Sequence, residues 1–350
     1  MLQRIRLIQL SNFLLLALLI APAGTTAQKQ PKKEKRSEDA SALPKVIWRD
    51  PGNIADLNLF YGAGGEADAP DPNGKFTFEK EDMEGTSPKF DVRDDQGRRW
   101  RVKLGAEPQA ETAATRLLWA VGYYVDEDYY LPELKVEGLP KLKRGENFIS
   151  ADGTVHGARL KLHVKGEKKL GNWDWFSNPF VGEPPFNGLK IMMALLNNWD
   201  LKMSNNAIRE IDGEQEYLVS DVGASFGKTG NSLSRSKGVP QGYVESKFIE
   251  KVTPDYVDFV MHSRPFFLTV LNVPNYQDRT RMERIPKHIP RSDAAWLSQR
   301  LSALSDDQIR DCFRAAGYTP HEIDEYTAAV RKRIEDLKTL GQSETALGDK

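Results

Sequence analysis

Cysteine is almost absent: Cys312 stands alone in 350 residues. A single thiol excludes an internal disulfide, so the core has to hold the fold by itself. Cys312 lies between Ile309 and Phe313 in a helix-like pattern, and a small buried hydrophobe suits that setting better than a nucleophile. No CxxC or HExxH string occurs, and the five histidines (His156, His163, His262, His288, His321) have no ligand spacing. A transition-metal site therefore has no support. His262-Ser263-Arg264, after an apolar run, reads as structural. Charge of one sign is lacking too. With 49 basic and 50 acidic residues and no basic block on a clear face, nucleic acid is not the expected partner. Beyond the N-terminus no stretch is apolar enough to span a bilayer.

What is present begins with a leader-like stretch. Arg4 and Arg6 precede the short apolar run Phe13 to Ile20, and Thr25-Thr26-Ala27 offers small residues for cleavage. Residues 1–27 read as a secretory signal peptide, with an uncleaved anchor as the alternative, so an exported location, periplasmic or secreted, is expected. The basic run Lys29 to Arg36 lies among Gln, Pro and Ser. Residues 28–50 are thus expected to be a disordered linker. The remainder, in a chain 39% hydrophobic and 28% charged, has the composition of a globular protein long enough for one large core or two lobes.

The Gly/Asp/Pro-rich stretch Pro51 to Gly74 reads as loop. Phe76-Thr77-Phe78, Phe90 to Arg93 and Arg99 to Leu104 alternate polar and apolar residues around a turn at Asp94 to Gly97. They predict three consecutive antiparallel strands. Ala110, Ala113, Ala114, Leu117, Leu118 and Val121 recur at helical spacing before Gly122. Leu160 to Val164 predicts a strand, Phe186 to Asn197 a buried helix, and Tyr217 to Ser220 a short strand. Thr319-Pro320-His321-Glu322 is a capping box, and behind it Ile323, Tyr326, Val330, Ile334 and Leu337 form one apolar stripe. Strands first and helices later imply an α+β, two-lobed molecule: a β-rich N-lobe with one helix over 51–165 and a helical C-lobe over 166–345.

One constellation carries chemistry. Asp200-Leu201-Lys202-Met203-Ser204-Asn205 follows the buried helix, and a hairpin later comes Asp221-Val222-Gly223. Phosphoryl transfer needs a carboxylate to orient a hydroxyl, a cation near the phosphoryl group and oxygen ligands for a divalent metal. Asp200 suits the first, Lys202 the second, and Asn205 with Asp221 the third. Gly223 would let the backbone turn away while the Asp221 carboxylate stays in the cleft. Upstream, Lys103 closes a strand and Glu111 lies in the next helix, with Glu107 one turn earlier as the alternative partner. The turn Gly85-Thr86-Ser87 can aim backbone N–H groups at phosphate, with Lys89 adding charge. Taken singly, the Asp200 string reads equally as a polar turn, Asp221-Val222-Gly223 is more often a plain turn, and Lys103 and Glu111 are more often solvated residues.

The order of glycine-containing hairpin, strand Lys, helix Glu, D-x-K-x-x-N and D-x-G resembles the protein-kinase-like superfamily, over roughly Phe76 to Gly227. The short Lys103–Glu111 spacing is most similar to its divergent branches: HipA-type kinases, phosphatidylinositol kinases and secretory-pathway casein kinases. The resemblance implies ATP with Mg²⁺ or Mn²⁺ as cofactors, Asp200 as catalytic base, Asn205 and Asp221 as metal ligands, and Lys103 on the phosphates. It implies a protein, lipid or sugar hydroxyl as acceptor. The chain departs from that pattern at Asn198-Trp199, where His-Arg is usual, at Val222, and in having one loop glycine, Gly85, instead of three. Those departures keep open a non-catalytic nucleotide- and metal-binding module. A third class, a carbohydrate-active or carbohydrate-binding protein, would use the aromatic segment Trp173 to Phe180 with Asp200 and Asp221 as paired carboxylates, and no lysine between them.

Overall fold

The computed structural model describes residues 42–229, 235–261 and 273–345. The signal-peptide stretch 1–27, the linker up to residue 41, Ser232 to Ser234 and His262-Ser263-Arg264 lie outside the described residues. Residues 45–50, expected as linker, are instead built into the fold. Strand β1 (Lys45–Val46) pairs in parallel with β9 (Glu214–Val219). The cause is the apolar pair Ile47-Trp48: Ile47 is buried, and the Trp48 Nε1–H donates to the Val121 carbonyl at 2.7 Å. Two apolar residues in a polar stretch suffice to fix the chain once a partner strand is present.

Strands β2 (Phe76–Asp82), β3 (Lys89–Asp94) and β4 (Arg99–Lys103) form the expected antiparallel run. With β5 (Asp128–Glu137) and β6 (Thr154–Leu162) they close a barrel in the order β2-β3-β4-β6-β5, sealed by parallel pairing of Phe76 with Val136. Alternation along β4 sends Trp100 and Val102 into the barrel core with Phe90, Val92 and Leu160. It leaves Arg99, Arg101 and Lys103 on the opposite face. β5 gives no clean sequence signal because Pro132 interrupts it. The ladder passes from Leu131 to Glu133 around that proline, opposite Gly157 at φ +67°, which is how a strand tolerates Pro.

Helix α1 (Pro108–Ala120) begins and ends close to where its periodicity predicts. Its apolar face, however, packs into a second, larger core and not into the barrel's. That larger core is built by α2 (Pro184–Leu195), α3 (Pro240–Val244), α4 (Val273–Glu283), α5 (Arg291–Ser302), α6 (Asp306–Ala315) and α7 (Pro320–Thr345). The α7 stripe from Ile323 to Leu337 and Cys312 are buried there, as expected. Thr319 and Glu322 cap α7 reciprocally, Thr319 N–H donating to Glu322 Oε2 at 2.9 Å. β7 (Lys168–Gly171) and β8 (Asn206–Ile211) join β9 and β1 in a four-stranded sheet ordered β1-β9-β8-β7. A smaller sheet holds β10 (Ile249–Val252), β11 (Tyr256–Phe259) and β12 (Ile289–Pro290). The molecule is α+β: a β-barrel lobe and a helical lobe with separate cores, connected by the segment between β6 and β7.

Candidate functional site

Lys103 is the hub of the cleft between the lobes. Its face of β4 is set by the strand's alternation, and its ammonium is only 5% exposed. Lys103 Nζ donates to Glu111 Oε2 at 2.9 Å and to Asp221 Oδ1 at 3.2 Å, and stands 2.5 Å from Glu107 Oε2. The choice the sequence left open between Glu107 and Glu111 is therefore resolved as both. They are one helical turn apart at the start of α1, so both carboxylates project the same way. Burial alone would lower the Lys103 ammonium, but Glu111, Asp221 and Glu107 hold it well above its usual range.

Asp221 is the member that meets solvent, with its side chain 43% exposed. Desolvation and repulsion by Glu111 and Glu107 raise its carboxyl, against the pull of Lys103. Burial also acts to raise Glu107, yet Lys103 and Lys237 bring it down to about 2 from an ordinary 4.5. A depressed carboxylate contributes stability above its unfolded value and loses it as pH falls toward the folded one. The gap in unfolding temperature between wild type and Glu107→Gln is thus expected to narrow as pH drops from about 4.5 toward about 2. A constant gap across that range would show that the Glu107 charge does not stabilise the fold.

The Asp200 loop is held by the helical lobe. α2 stops where Asn197 takes φ +53°, a conformation asparagine tolerates. Arg333 of α7, wholly buried, donates to the Leu195 carbonyl at 2.8 Å and to Asn197 Oδ1 at 2.9 Å, satisfying the helix end. Asn198 Oδ1 accepts from the Asp200 N–H at 3.1 Å. Asn205 Nδ2 donates to the Asp200 carbonyl at 2.6 Å, while the Asn205 carbonyl accepts from the Ser220 and Asp221 N–H groups at 2.8 and 3.2 Å. Lys202 Nζ lies 2.8 Å from Asp200 Oδ1. The glycine turn joins from above. Ser87 Oγ donates to Glu107 Oε2 at 3.0 Å, the Gly85 carbonyl accepts from Arg144, and Lys89 Nζ curls over Gly85. Burial, with Lys103 and Arg101 nearby, lowers the Lys89 ammonium. Thr86 is exposed on the same turn. Ser87, Glu107, Lys103, Glu111, Asp221, Asn205, Asp200 and Lys202 thus form one unbroken chain of contacts across the two lobes.

Several features of the site escaped the sequence reading. Gly223 is not at positive φ. Glycine is needed there because a Cβ would sit 2.7 Å from the Glu107 Cβ. Arg159 of β6, the register partner of Lys103, pairs with Glu111 Oε1 at 2.6 Å; the period-two run Arg159, Lys161, His163 is a signal that could have found it. Trp199 sends its Nε1–H to the Ser236 carbonyl at 2.9 Å and lies beneath Arg235, 3.7 Å from its ring centre. Lys237 pairs with Glu107. These contacts fold residues 235–238 onto the Asp200 loop.

The aromatic segment is placed differently from the carbohydrate alternative. Trp173 and Trp175 are both 3% exposed, pack on Phe186, and belong to the larger core. Only Phe176 is open. A lysine also pairs with each carboxylate of that alternative, Lys103 with Asp221 and Lys202 with Asp200. A cavity of about 740 Å³ between α7 and Val244 to Ile249 is lined in part by Arg333 but by none of Lys103, Glu107, Glu111, Asp200, Asn205 and Asp221.

The donors that face the cleft suit a hard divalent cation. Asp221 offers a solvent-reaching carboxylate, and Asn205, with Nδ2 committed to Asp200, has its Oδ1 as an oxygen ligand. Oxygen-only donors fit Mg²⁺ or Mn²⁺. Glu107, Glu111 and Asp221 present carboxylate oxygens within 4.8 Å of one another, but Lys103, Arg159 and Lys237 already pair with that cluster.

No protein-family model matches the chain, and no curated protein matches it. Among solved structures, it is similar to the Helicobacter pylori proinflammatory kinase CtkA, at 10% identity and a TM-score of 0.44 over 77% of this chain and 98% of that one. It is also similar to the Golgi casein kinase, at 10% identity and a TM-score of 0.38 over 82% of this chain and 75% of that one.

Proposed function

We propose that this chain is an exported, kinase-like phosphotransferase that moves the γ-phosphate of ATP to a hydroxyl of a protein, lipid or sugar. One observation carries the reading: Lys103 of the barrel lobe meets Asp221 of the helical lobe at 3.2 Å, inside a network that also holds Glu111, Asn205 and Asp200. Such a cleft can do what phosphoryl transfer asks of a protein, which is positioning and charge stabilisation more than covalent chemistry. In this reading Lys103, steadied by Glu111 and Glu107, binds the phosphates, and the Gly85–Ser87 turn with Lys89 covers them. Asp200 accepts the proton of the attacking hydroxyl, and Lys202 beside it offsets charge on the phosphoryl group. Asp221 and Asn205 would hold Mg²⁺ or Mn²⁺, which neutralises phosphate charge when bound. The Arg4-to-Ala27 stretch supports export.

A second reading, a non-catalytic nucleotide- and metal-binding module, is favoured by one feature. Residues 235–238 are pinned over Trp199 and reach Glu107 through Lys237, beside the loop an acceptor would approach. Turnover separates the two. Incubation of the mature chain with γ-labelled ATP and Mg²⁺ or Mn²⁺ is expected to move label into phosphate, the chain itself or an added hydroxyl acceptor. Nucleotide binding without any loss of the γ-phosphate would establish the binding module instead.

A further inference from the structure

Helix α7 carries two stripes with different tasks. One, from Ile323 to Leu337, fills the larger core. The other is Glu325, Ala328, Ala329, Lys332, Arg333 and Asp336, whose three- and four-residue spacing puts them on a shared face. That face lines the cavity of about 740 Å³ whose opposite wall runs from Val244 at the end of α3 to Ile249 at the start of β10. The small side chains of Ala328 and Ala329 leave room there, and Val244, Phe248 and Ile249 give the facing wall an apolar surface. A hollow of roughly 300–1,000 Å³, mainly apolar and with a few placed polar groups, is the usual form of a small-molecule site.

The placed polar group is Arg333, only 4% exposed. Its Nη1 donates to the Ala194 and Leu195 carbonyls and to Asn197 Oδ1, at 3.3, 2.8 and 2.9 Å. Its Nη2 donates to the Tyr243 and Ser246 carbonyls at 3.1 and 3.2 Å. Every one of these acceptors is neutral, whereas buried charges are ordinarily paired with an opposite one. Among the described residues no carboxylate pairs with Arg333. Asp336 is committed to Lys332 at 2.9 Å, and Glu325 stands 3.8 Å from His321. Burial accordingly pulls the guanidinium below its ordinary value, although Tyr243 and Asp336 act to raise it. The Arg333 Nε–H has no acceptor among the described residues, so a donor of this buried cation is left for whatever enters the cavity. At the rim, exposed Lys247 reaches the Glu250 carbonyl at 3.4 Å and no carboxylate among the described residues. The cavity therefore offers apolar walls and two cations, Arg333 and Lys247, that lack an anionic partner.

We propose that this cavity binds a small amphipathic anion, a carboxylate carried on an apolar chain. The carboxylate accepts from Arg333 Nε–H and faces Lys247, a charge-assisted contact in a largely apolar setting. The chain lies on Phe248, Ile249 and Ala329, where its burial supplies the remaining affinity. This site is separate from the Lys103 cleft and does not depend on the phosphotransfer reading. It borders the same loop, since Arg333 holds Leu195 and Asn197 where α2 hands over to Asp200.

Isothermal titration of the mature chain with decanoate, decanol and decylammonium, each below its micellar concentration, tests the proposal. Decanoate is expected to bind saturably, with decanol and decylammonium at least about tenfold weaker. Ala329→Trp, which fills the cavity, is expected to weaken decanoate by about tenfold or more. Lys247→Glu, a change at an exposed position, is expected to weaken it by about fivefold. The absence of saturable decanoate binding to wild type overturns the proposal, and so does decylammonium binding as tightly as decanoate. Decanoate affinity unchanged in either folded variant puts the binding elsewhere and overturns it too. Should Ala329→Trp fail to fold, Lys247→Glu carries the comparison alone. The titrations contain no nucleotide, so their outcome and that of the phosphotransfer assay are independent.

Discussion

Asp200→Asn is expected to lose γ-phosphate transfer by about 10³-fold while leaving nucleotide binding within a few-fold of wild type. The carboxamide keeps the size of the side chain. Both bonds that hold the loop, from Asn205 Nδ2 and to Asn198 Oδ1, use the Asp200 backbone and survive the change. What disappears is the carboxylate that is proposed to receive a proton and that balances Lys202 at 2.8 Å. Single-turnover assays with γ-labelled ATP read the loss directly, and a thermal shift with ADP and Mn²⁺ reads the retained binding. Equal turnover in variant and wild type would remove Asp200 from the chemistry and leave the rest of the cleft to be explained as a binding site.

Lys103→Met is expected to destabilise the fold by roughly 3–5 kcal/mol, the usual result of stripping one partner from a buried charge cluster. Methionine fills much of the lysine's volume, so the loss is electrostatic and not a cavity effect. Glu111 is 2% exposed and Glu107 11%, and Asp221 would face both without the ammonium between them. Arg159 and Lys237 still hold Glu111 and Glu107, which limits the damage. Adding Glu107→Gln to Lys103→Met is expected to recover part of the stability, although Glu107→Gln alone costs some. Chemical denaturation of the four chains forms a double-mutant cycle. Additive losses would mean that Lys103 and Glu107 do not share the energetic coupling assigned to them.

What the sequence made legible was local. The β2–β4 alternation, the α1 and α7 stripes and the Thr319 capping box each depend on residues within a turn or two of one another, and each formed close to its expected bounds. The clustering of the candidate residues was legible for the same reason: Asp200 to Asn205 is a single loop, and Lys103 with Glu111 spans a strand end and the next helix. Contacts between distant segments were not legible. Lys45 and Val46 form a strand only because β9, far along the chain, offers an edge. β5 hides behind Pro132, and the partner that excuses it, Gly157, lies on another strand. The sequence left Trp173 and Trp175 open between a cleft-side stacking surface and a self-packed loop, and it is Phe186, on a following helix, that takes them into the core. Gly223 shows the limit most clearly, since its lack of a side chain answers to Glu107, more than a hundred residues earlier.

The central claim is that Lys103, Asp221 and Asn205 make one nucleotide- and metal-binding site. Its most direct test is the thermal unfolding of the mature chain with ATP or ADP, with and without Mg²⁺ or Mn²⁺, for wild type and Asp221→Ala. The account predicts a rise in wild type that requires nucleotide and metal together, reaching about 2.7 kcal/mol of added stability at a hundredfold excess over the dissociation constant, and no rise in the variant. An identical rise in both chains, or none in wild type with any nucleotide, would contradict it.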